Sequence, residues 1–268
     1  MPEAVAPLPE RRAFAETMRR DAWWAQPLSI FLGLTGFVIY ATWAALKNAD
    51  YHWGPYNSPF YSPEIFGDGP HSWFGPKPGW WPGWFPFSPA LFILPFPAGF
   101  RLTCYYFRGA YYKSHWADPP SCAVGEPRKQ YWGERSLPLV AMNVHRYFLY
   151  AAILYIAHHV YDVWTAMWFA DPATGALTFG IGLGTLIFAG DVILLGGYVF
   201  GCHSFRHLVG GVLDEPSKQL VRFKFYQCAS CLNRKHLVWA WVSLGWVMFA
   251  DVYVRLLARG VVADWRIF

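Results

Sequence analysis

Apolar residues gather along this chain into stretches long enough to cross a bilayer, separated by polar or Pro/Gly-rich segments. A spanning helix needs about 20 mostly apolar residues. Five stretches reach that length, at 27–46, 88–107, 139–169, 177–200 and 237–257. The pattern predicts an all-α integral membrane protein: a bundle of five transmembrane helices over residues 27–268, preceded by a polar arm over 1–26. The arm mixes Glu10, Arg11, Arg12, Arg19 and Arg20 and has no apolar core of the secretory-signal kind. Pro89, Pro95 and Pro97 fall in the second stretch and predict a kink there. The segment 48–87 carries Trp53, Trp73, Trp80, Trp81 and Trp84 among many Pro and Gly. Rings of this kind suit the membrane interface, so it is read as an outer loop that caps the bundle.

Composition sharpens the reading. Hydrophobic residues make up 55% of the chain and charged ones 15%, against about 25% charge in a soluble domain. A soluble enzyme with a large core is therefore disfavoured. Five cysteines in 268 residues are too few, and odd in number, for a disulfide scaffold. The net charge of +5 is small and does not point to nucleic acid. Its placement matters more. Arg108, Lys113, Arg128, Lys129 and Arg135 follow the second stretch, and Arg206, Lys218, Arg222, Lys224, Arg234 and Lys235 follow the fourth. The loop after the first stretch holds only Lys47 and Lys77, and the loop between the third and fourth holds no Lys or Arg. The positive-inside rule then predicts a cytoplasmic N-terminus and cytoplasmic loops 2–3 and 4–5. Arg259 and Arg266 near the outer C-terminus run mildly against this.

The same topology sorts the soft ligands. Cys104, Cys122, Cys202, Cys228 and Cys231 all fall on or near the inner side, with His115, His145, His203, His207 and His236. Disulfides are not expected in that reducing compartment. Thiolates and imidazoles gathered at one rim suggest a transition-metal or iron–sulfur site. The densest piece is Gly201-Cys202-His203-Ser204-Phe205-Arg206-His207. His203 and His207 stand i,i+4 and share a face of any continuing helix. His145, at the start of the third stretch, has the right depth to act as a ligand or to support one. A single Cys228-x-x-Cys231 is weak evidence for structural zinc. His158 and His159 lie deeper, and membrane-embedded histidines also suit haem b. Asp162, Asp191 and Asp251 fall inside spans, where carboxylates are expensive and mark function by default. Asp251 and Arg255 stand i,i+4 and are predicted to pair.

Several segments resemble one family: Arg101-Leu-Thr-Cys104-Tyr-Tyr-Phe-Arg108, Asp118-Pro-Pro-Ser-Cys122, His145-Arg-Tyr-Phe-Leu-Tyr150, Gly201-Cys-His-Ser-Phe-Arg-His207, Leu232-Asn-Arg-Lys-His236, Trp239-Ala-Trp241 and Asp251-Val-Tyr-Val-Arg255. Together they resemble the single membrane-anchor subunit of actinobacterial-type (type F) succinate dehydrogenase, respiratory complex II, over residues 88–268. The resemblance implies a five-helix, haem-free anchor in the bacterial cytoplasmic membrane. It implies flavoprotein and iron–sulfur partner subunits, a membrane-embedded Rieske-type [2Fe–2S] cluster, and quinone as electron acceptor. It puts the succinate site on a partner subunit. A Rieske centre needs two Cys and two His. The thiolate candidates are Cys104 and Cys202, with Cys122 in reserve. The imidazole candidates are His203 with either His207 or His236, and Cys228/Cys231 are left an auxiliary role. Arg101, Tyr105, Tyr106, Arg108 and Trp239 lie at a depth that suits quinone. The rivals are a haem b quinone oxidoreductase subunit and a non-redox scaffold or transporter with structural zinc.

Overall fold

The computed structural model describes residues 13–132, 142–171 and 173–268. The described chain forms mostly helices, and it divides into two compact units. One comprises residues 1–38 and 102–143, the other 39–101 and 144–268.

In the first unit, the start of α1 (Ala25–Lys47) is preceded by residues that clasp the 121–125 loop. Ala15 N–H donates to the Gly125 carbonyl at 3.0 Å and Gly125 N–H to the Glu16 carbonyl at 2.8 Å. Arg19 reaches the Ser121 hydroxyl and the Cys122 carbonyl while it pairs with Asp21. α4 (Tyr105–His115) belongs to the same unit. Its buried Arg108 donates to the Tyr112 hydroxyl at 2.9 Å and lies over that ring.

The second unit holds the bundle. α5 (His145–Thr165), α6 (Leu183–Phe200) and α9 (His236–Ala258) carry most of its packing. α6 is lined with glycines where α9 presents tryptophans. A Cβ on Gly190 would lie 2.8 Å from the Trp246 ring, and one on Gly197 2.7 Å from Trp239. Small residues let helices approach closely where lipid removes the hydrophobic drive for their association. Gly197→Val is therefore expected to lower the thermal midpoint of the detergent-solubilised protein by an overpacking cost of about 1–3 kcal/mol. Gly245→Ala, with no neighbour within 4 Å of its Cβ, is expected to leave that midpoint unchanged.

The loop 48–87 folds into a packed cap. Tyr51 and Tyr61 stack at 4.0 Å, and the short strands β1 (His52–Trp53) and β2 (Tyr56–Asn57) pair antiparallel. Buried Glu64 accepts from the Tyr51 hydroxyl and from Gly69 N–H. Tyr56 enters a core with Ala166, Ile187, Phe188, Ala250, Tyr253, Val254 and Leu257. Its hydroxyl and that of Tyr253 both donate to Asp264 at 2.6 Å, and Gly184 N–H donates there too.

Among the described residues three helices are long and apolar enough to cross a membrane, α1, α6 and α9, and a fourth span is added if the bent pair Ala90–Leu102 and Tyr105–His115 is counted as one. The five predicted stretches map onto the structure unevenly. The stretch 88–107 is broken into α2 (Ala90–Ile93), α3 (Pro95–Leu102) and α4. Pro95 and Pro97 lie at the start of α3, where a missing N–H costs least, and Cys104 is extended, at φ −66° and ψ 128°. The stretch 139–169 yields α5, which ends at Thr165, while residues 133–141 lie outside the described residues. α5 is about 31 Å long at 1.5 Å per residue. It also carries His145, Arg146, His158, His159 and Asp162, so its mean hydropathy is lowered. The stretch 177–200 begins not as helix but as strand. β3 (Trp168–Ala170) and β4 (Leu177–Phe179) form a hairpin whose turn is held by the Asp171 carboxylate accepting from Ala173 and Thr174 N–H. The two strands are apolar enough to read as extensions of the neighbouring spans.

Candidate functional site

Three potential donors of the second unit stand at helix starts. Cys202 precedes α7 (His203–Gly210) as its N-cap, and its sulfur accepts from Ser204 N–H at 3.2 Å. The sharp bend before it is stapled: Asn233, at the end of α8 (Leu220–Asn233), donates to the Gly201 carbonyl at 2.7 Å. His145 opens α5, and its Nε2 lies 3.2 Å from Cys202 Sγ. The His145 ring stacks on Phe100 at 4.3 Å and hydrogen-bonds the Phe100 backbone, which leaves Nε2 turned to the sulfur. His236 opens α9 and stacks on Tyr198 at 5.0 Å. All three side chains are buried. The two imidazoles are within electrostatic reach of one another.

Arg101 borders this group. Its guanidinium lies over the Tyr198 ring at 4.6 Å and donates to the Ala240 carbonyl and the Ser243 hydroxyl. A fixed positive charge thus stands beside a thiol and two imidazoles in an apolar wall of Phe100 and Tyr198. Trp239 packs on Gly197, and its buried Nε1–H has no acceptor among the described residues.

The other candidates stand differently. His203 and His207 are exposed on α7 and face each other, Nε2 to Nε2 at 3.0 Å. Partial burial, then His207 and Arg206, hold the His203 pKa below the usual imidazole range. Cys228 and Cys231 are exposed on α8, and Cys122 is exposed in the first unit. Cys104 and Arg108 are buried in that same unit, while His115 is exposed and meets Thr35 at 3.2 Å and the Phe31 ring. Tyr105 and Tyr106 are exposed. Among the described residues no group of three or more His, Cys, Asp or Glu is arranged to hold a single metal ion. His158 and His159 both turn to Asp162, at 3.4 and 3.0 Å, so their ring nitrogens already have a carboxylate partner.

The side chains of Cys202, His145 and His236 offer one thiol and two imidazoles, ligand types common to zinc sites and to mixed-ligand iron–sulfur centres. Sequence reasoning placed Cys202 and His236 here and weighed His145. It missed the aromatic platforms Phe100 and Tyr198, which only the packing reveals.

A helical membrane protein with a buried Cys/His group beside an arginine is the class these features define. Residues 25–260 match the family described as actinobacterial succinate dehydrogenase subunit SdhC. The fold also superposes on a chain of the Mycobacterium smegmatis Sdh1 complex in the apo form, with TM-score 0.82 and 43% identity, over 97% of this chain and 98% of that one. No curated protein matches. The chain belongs to the actinobacterial SdhC family and is a membrane subunit of succinate dehydrogenase. It associates with the other subunits of that complex.

Proposed function

We propose that this subunit carries electrons from the iron–sulfur partner, through a Rieske-type [2Fe–2S] centre of its own, to quinone. The observation that carries the reading is His145 Nε2 at 3.2 Å from Cys202 Sγ, buried, with His236 beside them. His145 and His236 are assigned as the imidazole ligands in preference to the exposed His203 and His207. Cys202 supplies one thiolate. Cys104, buried and three residues beyond Arg101 in the chain, is retained as the second from its sequence position. Imidazole ligation on one iron raises such a centre to about −150 to +300 mV, a range from which quinones accept electrons.

The chain's own residues set the conditions. Imidazole binds a metal in its neutral form, so His145 and His236 as ligands would add no buried cation. Phe100 and Tyr198 exclude water. Arg101 offsets the negative charge that a thiolate-ligated centre accumulates. Quinone needs an apolar slot with a donor at a carbonyl; Trp239 Nε1–H and Arg101 are the donors we assign, with Tyr105, Tyr106 and Arg108 as further candidates from the sequence. The basic residues that follow the second and the fourth apolar stretch are those we assign to binding the iron–sulfur and flavoprotein partners. With five spans, counting α5 and the broken 88–107 stretch, those residues and the N-terminus are cytoplasmic.

An EPR spectrum of the reduced complex tests this. Beyond the clusters of the partner subunit, it is expected to contain a [2Fe–2S] signal with the low average g of mixed His/Cys ligation, absent from Cys202→Ala. A complex whose only signals belong to the partner would overturn the assignment.

A further inference from the structure

A second set of buried ionisable groups runs through the other half of the bundle. Asp162 lies near the C-terminal end of α5, 17 residues beyond His145, so the two are about 25 Å apart along the helix. Its carboxylate accepts from the Ser62 hydroxyl at 2.6 Å and meets His159 Nδ1 at 3.0 Å and His158 Nε2 at 3.4 Å. Ser62 belongs to the cap, so the loop 48–87 reaches into the bundle at this point. The cap adds two histidines. His52 and His71 stack at 5.2 Å, and the Nε2 of each is buried with no hydrogen-bond partner among the described residues. Burial holds both pKa values below the ordinary imidazole range. His71 is within electrostatic reach of Asp162 and of His158.

Asp191 continues the series inward. It sits at mid-length on α6, buried, within electrostatic reach of His159, Asp162 and Arg101. Its Oδ1 accepts no hydrogen bond among the described residues. Eleven residues separate it from Cys202, about 16 Å along the helix axis. Arg101, which cannot give up its proton, is within electrostatic reach of both Asp191 and His236 and lies over the Tyr198 ring. The titratable groups are thus linked pairwise from the cap, through Asp162 and His159, to Asp191, which a permanent cation also reaches. Buried carboxylates and imidazoles in such a series are what a proton relay through lipid requires, and neither ion pairing for stability nor ligation accounts for an unpartnered Asp191 at mid-membrane depth.

We propose that His71, Asp162, His159 and Asp191 form a proton path from the cap face to the quinone, so that quinone takes its protons from the side opposite the docking loops. The inference rests on the electron-transfer reading above. In the step, two electrons released by succinate and delivered through the partner subunits enter the quinone. Two O–H bonds form on its carbonyl oxygens, and Asp191 hands over each proton and is refilled through His159 and Asp162. Succinate releases its two protons on the partner side. The path thus makes the overall reaction move charge across the membrane, with electrons and protons meeting from opposite faces.

The test uses the intact complex reconstituted in phospholipid vesicles, with a pH dye trapped inside and succinate and a short-chain quinone added outside. Only complexes with the flavoprotein outward are driven. The lumen is expected to become alkaline as quinone is reduced, and an uncoupler to abolish the change. Asp191→Asn is expected to cut the rate of lumen alkalinisation at least tenfold while the [2Fe–2S] EPR signal persists, and Asp191→Glu to restore it. A wild-type complex that reduces quinone with no lumen response would overturn the path while leaving the electron-transfer reading intact, and this measurement needs no variant to fold. Unchanged alkalinisation in Asp191→Asn would overturn it as well. Loss of quinone reduction together with loss of the EPR signal in the wild type would instead strike the reading on which the path rests.

Discussion

Replacing His145 and His236 together by alanine is expected to lower succinate:quinone reductase activity by more than about 100-fold, exceeding the 10–100-fold typical of residues that merely support a ligand. Succinate oxidation measured with a soluble dye is expected to persist, because that chemistry belongs to the partner subunits. The contrast follows from position. Both imidazoles open helices, both are buried, and each is held by ring stacking, on Phe100 and on Tyr198. Their removal deletes donors at the helix ends and leaves the close α6–α9 contacts at Gly190/Trp246 and Gly197/Trp239 in place. His203 and His207 provide the control. They are exposed and pair with one another, so their double alanine variant is expected to retain quinone reduction within about twofold. The reverse outcome, loss with His203/His207 and survival with His145/His236, would move the imidazole ligands onto α7.

The second large effect is on stability. Arg255→Met is expected to destabilise the protein by about 3–5 kcal/mol, the cost of leaving a buried partner charge uncompensated. Asp251 is 0% exposed and Arg255 4%, with 2.8 Å between them. Tyr40 and the Ser58 hydroxyl also donate to Asp251. Arg255 additionally donates to the Ala44 and Ala49 carbonyls, so it satisfies the C-terminal end of α1. Thermal melting of the purified complex checks this. The double variant Asp251→Leu/Arg255→Met is expected to recover a large part of the loss, since it buries no lone charge. A single variant as stable as the parent would show that water reaches the pair.

Much of this was legible in the sequence, and the misreadings have physical causes. Hydropathy found α1, α6 and α9 because each holds a long, strongly apolar run with few charges. The i,i+4 spacing of Asp251 and Arg255 foretold their ion pair. Hydropathy overran the hairpin at 168–179, since apolar strands and helices draw on the same residues and only hydrogen-bond pairing separates them. At the site, clustering along the chain favoured His203 and His207, which neighbour Cys202 in sequence. The helix start at 203 instead turns them outward, and the imidazole that meets the sulfur arrives from 57 residues away. Contacts of that separation leave no local trace. The relay was half visible: Asp162 and Asp191 stood out as costly, but nothing in the pattern of 48–87 announces that Ser62, His52 and His71 fold back toward them.

The placement of His145, Cys202 and His236 at the first turns of their helices has a mechanical result. Lipid bilayers vary in thickness, and spanning helices answer by tilting. Tilt swings the far end of a rod most and its anchored end least, and the Asn233 staple on Gly201 pins the end that matters here. On the function proposed above, an electron carrier held at such pivots would keep its tunnelling distance as the surrounding lipid composition changes.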